Sequence, residues 1–132
     1  MAKKQYFIAI DTETTITDKV VDFGAVIHDR QGNIYAQCGI LVKDIFGVDD
    51  LFYNKDATDI WSRGSIEKRM ANYTAMLNSG SRMLASVNAI NIWLAKAIGK
   101  YNPTMYAYNL AFDKDKCEKT GIDITGFADS FC

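Results

Sequence analysis

Asp11 and Glu13 stand two positions apart at the end of the first apolar run, Tyr6-Phe-Ile-Ala-Ile10. Side chains on a strand alternate between faces, so carboxylates at this spacing project to the same side. Two converging negative charges at the end of a buried run are costly unless something positive meets them. A divalent cation is a natural partner, because hard cations take carboxylate oxygens. The bland alternative is that both side chains face water at a strand end. Thr12, Thr14 and Thr15 surround the pair.

The elements that must position these residues follow from local pattern. Val20-Val-Asp-Phe-Gly-Ala-Val-Ile27 is strand-like and rich in β-branched residues. Asp29-Arg-Gln-Gly-Asn33 carries turn residues, with Gly32 and Asn33 suited to positive φ. Ile34 to Val42 is a third strand-like run, so the second and third runs predict an antiparallel hairpin. The stretch from Lys43 to Ile60 reads as a long loop packed by its aromatics. A helix capped by Ser65 is expected to run to about Ser79, with Ile66, Met70, Tyr73 and Leu77 on one face. A second helix, starting at Arg82 or Ser86, reaches Ile98, with Gly99 and Pro103 marking its end. Thr104 to Asn109 is a fourth strand, followed by Leu110-Ala-Phe-Asp113 and a charged helical stretch to Lys119. Phe127 to Cys132 is a fifth strand.

Two of these segments carry a resemblance. Ile8-Ala-Ile-Asp-Thr-Glu-Thr-Thr15 with the strand Val20–Ile27 resembles the first motif of the DEDD (DnaQ-like) 3′→5′ exonuclease superfamily. Tyr108-Asn-Leu-Ala-Phe-Asp113 is similar to the second motif of that family. The resemblance covers Tyr6 to Val42 and about Ile90 to the end. It implies an α/β, RNase H-like mixed five-stranded sheet with helices on its faces and the first strand central beside the fourth. It implies phosphodiester hydrolysis at single-stranded DNA or RNA 3′ ends with two ions of Mg²⁺ or Mn²⁺. Asp11, Glu13 and Asp113 would be the catalytic metal ligands, close enough to share the ions. Thr14, Thr15, Asn109 and Phe112 would contact substrate. For Asn109 a turn role is an equal alternative, and for Phe112 inward packing is the alternative.

The family uses a fourth acid, preceded by a His or Tyr, on a helix beyond the second motif. No His or Tyr follows Asp113, and the only histidine, His28, belongs to the second strand. The expectation is therefore a single domain over residues 1–132, with a partly helical insertion at about 43–82 and the C-terminal helix missing. Such a chain would be weak or inactive alone, and it would accept a separate C-terminal piece or self-associate. The competing reading is a non-catalytic module of the same fold that binds nucleic acid or a partner protein.

Composition agrees with one small domain. The chain has 132 residues, is 48% hydrophobic and carries a net charge of −1. That balance argues against a protein that coats nucleic acid, which needs many phosphate contacts. Arg69 and Arg82 are among a few cations that could meet phosphates. No apolar run is long enough for a membrane span, and no signal-peptide pattern opens the chain, so a cytoplasmic location is expected. Cys38, Cys117 and Cys132 lack metal-finger spacing and read as free thiols in a reducing compartment. Asp22 reads only as a polar residue on a strand face.

Overall fold

A computed structural model of the chain describes residues 4–51 and 60–131. The described elements are β1 (Phe7–Thr14), β2 (Val20–His28), β3 (Ile34–Val42), α1 (Ile60–Ser79), β4 (Met83–Ala85), α2 (Val87–Tyr101), β5 (Thr104–Tyr106), α3 (Leu110–Thr120) and β6 (Ala128–Phe131). They form an α/β domain around one open mixed sheet in the order β4-β3-β2-β1-β5-β6. β1, β2 and β3 are antiparallel neighbours, whereas β4, β5 and β6 join in parallel. Parallel pairing requires a crossover, and the helices between strands supply it.

β1 and the second half of β2 alternate as their sequences require. Ile8 and Ile10 of β1 are buried on the same face as Phe23, Ala25 and Ile27 of β2. Ile90, Leu94 and Ala97 of α2 and Leu110 and Cys117 of α3 close that layer into the main core. Burying one such aliphatic side chain stabilises the fold by about 1.5–3 kcal/mol. A second, smaller cluster lies around Val21, Leu41, Leu51 and Tyr73, with Met70, Met76 and Leu77 of α1 packed against it. Phe46 meets Tyr73 edge-on at 5.8 Å, so the part of the long loop within the described residues is indeed held by an aromatic.

Several boundaries differ from the sequence reading, each for a local reason. β1 continues through Asp11 and Glu13 to Thr14, because β2 offers it partners as far as Val20. Ser65 lies inside α1 rather than capping it, since Gly64 and Ser65 are too weak as breakers to stop a helix supported by packing. Gly99 likewise lies inside α2, which ends at Tyr101 with Asn102 in the left-handed region at φ 46°. Ser86, one of the two proposed starts, is the N-cap of α2 and accepts the Ala89 amide at 3.1 Å. β4 was not expected, so the described sheet has six strands rather than five. Three residues are too short to show a period.

The β2–β3 turn is organised by Asp29, which is buried. Its carboxylate accepts the amides of Gln31 at 2.9 Å and Asn33 at 3.0 Å, the Asn33 side chain at 2.9 Å and the Tyr35 hydroxyl at 2.8 Å. Gly32 takes positive φ as expected, at 85°, but Asn33 does not; it serves through its side chain. These donors, Asn33 foremost, hold the Asp29 carboxyl well below the usual carboxylate range. A depressed folded-state pKa contributes stability above the unfolded value of about 3.9, and that contribution is lost as pH falls below it. The melting temperature should therefore drop as pH is lowered from about 4 toward 2. Asp29→Asn should lower it at pH 7 and flatten that acid limb, as followed by circular dichroism; an equally steep limb in the variant would refute this role.

Candidate active site

The second half of β1 sorts its side chains by face. Thr12 and Thr14 continue the buried row of Ile8 and Ile10, while Asp11 and Glu13 project to the other face and are exposed. Across the ladder Asp11 pairs with Gly24, and Glu13 pairs with Asp22. Asp22 is buried, so a third carboxylate stands beside the first two on the same face.

Asp113 comes to this strand from 101 residues away, on the first turn of α3. Asn109 caps that helix; its side chain and its carbonyl take the amides of Phe112 and Asp113. The Thr12 hydroxyl donates to the Asp113 carboxylate at 2.6 Å, in the interior. Asp113 is buried, and that burial raises its pKa above the ordinary value; the bond from Thr12 opposes the shift and the charge of Asp11 adds to it. Glu13 is also raised, first by burial, with Asp11, Asp22 and Asp113 adding repulsion and Arg69 opposing it. The three sequence-predicted carboxylates thus feel one another.

Two arginines balance this charge. Arg69 of α1 lies 3.6 Å from Glu13, which is half exposed. Arg82, just before β4, donates from Nε to Asp22 at 2.8 Å and from Nη1 to the Ser81 carbonyl at 3.1 Å. The Tyr73 hydroxyl also bonds to Asp22, and burial raises that phenol strongly. Arg82 lies across two cross-strand glycines, Gly24 and Gly39. A groove of about 730 Å³ opens along this part of the sheet, with Asp11, Gly24, Gly39 and Arg82 among its walls.

The remaining predicted residues fall in different places. Thr15 is fully buried, and both its amide and its hydroxyl are engaged with Lys19 and Thr17 in closing the β1–β2 turn. Thr14 is buried at the bulge that precedes this turn. Asn109 serves as a cap, one of the two roles open to it. Phe112 does not pack inward; the residue is 42% exposed, with the Lys116 ammonium 5.2 Å from the ring centroid. Cys38 and Cys117 are free thiols, raised by burial to about 11 and about 12, and so protonated and inert at neutral pH. Sequence reasoning missed Thr12, Asp22 and the roles of the arginines. The alternation of β1 was a usable signal for Thr12; the pairing of Asp22 with Glu13 needed the strand register.

Asp11, Glu13 and Asp113 have the right oxygen chemistry for Mg²⁺ or Mn²⁺. As folded they do not make a ligand cage: among the described residues no three His, Cys, Asp or Glu side chains are grouped to hold a metal ion. The reason lies in the contacts. Glu13 turns to Arg69, and Asp113 reaches β1 through Thr12, whose side chain alternates away from Asp11 and Glu13. No helix among the described residues is long and apolar enough to cross a membrane. In comparisons with known proteins, no family model matches the chain and no curated protein matches it.

Two outcomes follow from this geometry. A Cβ on residue 39 would sit 2.8 Å from the Ser81 carbonyl oxygen and 2.9 Å from Arg82 Nη1. Gly39→Ala should therefore cost about 1–3 kcal/mol in urea denaturation, the usual range for overpacking; no loss would mean that Arg82 is not held there. The second concerns pH. A carboxyl raised in the folded state binds protons more readily folded than unfolded, so its contribution is present at low pH and is lost as pH rises through the folded pKa. As pH is lowered from neutral toward the ordinary carboxylate value, the melting temperature should rise where Glu13 and Asp113 take up protons, and Glu13→Gln should flatten this limb in a circular-dichroism melt.

Proposed function

We propose that this chain is a 3′→5′ exonuclease-type domain with an RNase H-like sheet, acting on phosphodiester bonds at single-stranded DNA or RNA ends with Mg²⁺ or Mn²⁺. The observation that carries the reading is the buried hydrogen bond from Thr12 to Asp113. It joins the two segments on which the resemblance rests, and it brings Asp113 into the electrostatic field of Asp11 and Glu13. The central position of β1, flanked by β2 and β5, agrees with the strand order that the resemblance implies. Ligands of open α/β sheets bind beyond the carboxyl ends of the strands, where these carboxylates lie.

In this reading Asp11, Glu13 and Asp113 hold the cations. Asn109 fixes the first turn of α3 and with it the position of Asp113, and the exposed ring of Phe112 is available to a base. Thr14 turns to the buried face at the bulge after Glu13, and Thr15 contributes by shaping the turn. The activity of the chain by itself is weak, because Glu13 is engaged by Arg69 and the three carboxylates are not gathered into one ligand set. These same two observations favour a second reading, a non-catalytic module of this fold that binds nucleic acid or a partner protein.

The test is mononucleotide release from a 5′-labelled single strand in Mn²⁺. Slow shortening from the 3′ end that Asp11→Asn and Asp113→Asn reduce to background is the expected result. Tight binding of the labelled strand without any Asp11-dependent shortening would favour the module instead.

A further inference from the structure

We propose that the open edge of β3 is a self-association site, to which a second copy of this chain adds its own β3, antiparallel and related by a twofold axis. The pairing needs neither a metal ion nor turnover. β4 lies beside β3 only over Ile40–Val42, and among the described residues no strand flanks the rest of β3 on that side. Burial follows the pairing. Ile40, Leu41 and Val42 are buried, whereas Ile34 and Gln37 are exposed and Tyr35, Ala36, Cys38 and Gly39 are half-buried. Sheet edges are usually blunted by a charge, a proline or a covering element, because their backbone is a template for another strand. From Gln31 to Val42 the chain has no charged residue and no proline. The groove along this part of the sheet is also lined by Gln37 and Cys38 of β3, Met83 of β4 and Trp93 of α2, so the space beside the strand is open.

The edge itself selects the occupant. Like charges opposite one another destabilise a ladder, and an uncharged strand pairs with its own copy without meeting any. Ser81 and Arg82 lie against Gly39 and close the edge there. The open stretch is thus Ile34 to Cys38, and a twofold that uses all of it sets Ile34 opposite Cys38 of the second copy. That register carries Ile34, which is 62% exposed, toward Met83 of the second copy, which is 60% exposed and begins β4 beside Ile40. An isologous pair makes this apolar contact twice. A peptide from another protein would gain the short backbone ladder alone. The same register puts the two Gln37 side chains on one face as diagonal neighbours, roughly 7–8 Å apart.

Sedimentation velocity of the full chain over a range of concentrations tests this, with reductant present so that Cys38 disulfides do not contribute. The monomer should give way to a dimer as concentration rises. Gln37→Lys and Gln37→Glu, at an exposed position, should each keep the melting temperature of the dilute chain and lose the dimer, since each sets like charges across the axis. An equal mixture of the two variants should dimerise again, because opposite charges then face one another. A chain that stays monomeric at every concentration overturns the proposal. A dimer that both charged variants retain overturns it as well, by placing the contact on another surface. Loss of the dimer in each variant without recovery in the mixture refutes the antiparallel pairing.

Discussion

The 2.6 Å hydrogen bond between Thr12 and Asp113 is the contact on which the organisation of this domain depends. It crosses 101 residues of chain and fastens α3 to the central strand. A carboxylate buried this far loses hydration, and only directed donors restore part of the loss. Thr12 supplies them, and the Asn109 cap fixes the helix turn that carries Asp113. Remove the hydroxyl and a buried carboxylate is left short of a donor; remove the carboxylate and α3 loses its polar tie to β1.

Charge balance at the end of the sheet follows from that tie. Once Asp113 is held near Asp11, the hairpin register adds Glu13 and Asp22 whether or not their repulsion is welcome, because cross-strand pairing is dictated by the ladder. Arginines on α1 and before β4 answer them. The two glycines under Arg82 belong to the same solution: a side chain at residue 39 would occupy the space of the guanidinium. Glu13, Asp22 and Asp113 each meet a protein partner at this end of the sheet, Arg69, Arg82 and Thr12 respectively.

The apolar layers show where sequence patterns are informative. Ile8 and Ile10 on β1, Phe23, Ala25 and Ile27 on β2, and Ile90, Leu94 and Ala97 on α2 are buried as their periods of two and 3.6 require. The same rule placed Asp11 and Glu13 together. It failed for β4, whose three residues are too few to show a period, and for the start of α1, where Gly64-Ser65 resembles a boundary but lies within the helix. Thr15 shows a different limit. Its neighbours suggest a polar site, yet the β1–β2 turn consumes its hydroxyl and amide, and only the closed turn reveals that.

By itself the sequence determined the longer elements and the core-facing side of β1, because alternation and helical spacing are local consequences of backbone geometry. It also determined that Asp11 and Glu13 lie on one face, and that Asp113 opens a helix. Tertiary structure alone decided which charges meet. The register of β1 on β2 put Asp22 opposite Glu13, the crossover through α2 and β5 brought Asp113 to Thr12, and the packing of α1 delivered Arg69 to Glu13. Those choices depend on contacts between residues tens of positions apart, whose electrostatic energies exist only when the chain is closed upon itself; no local pattern encodes them.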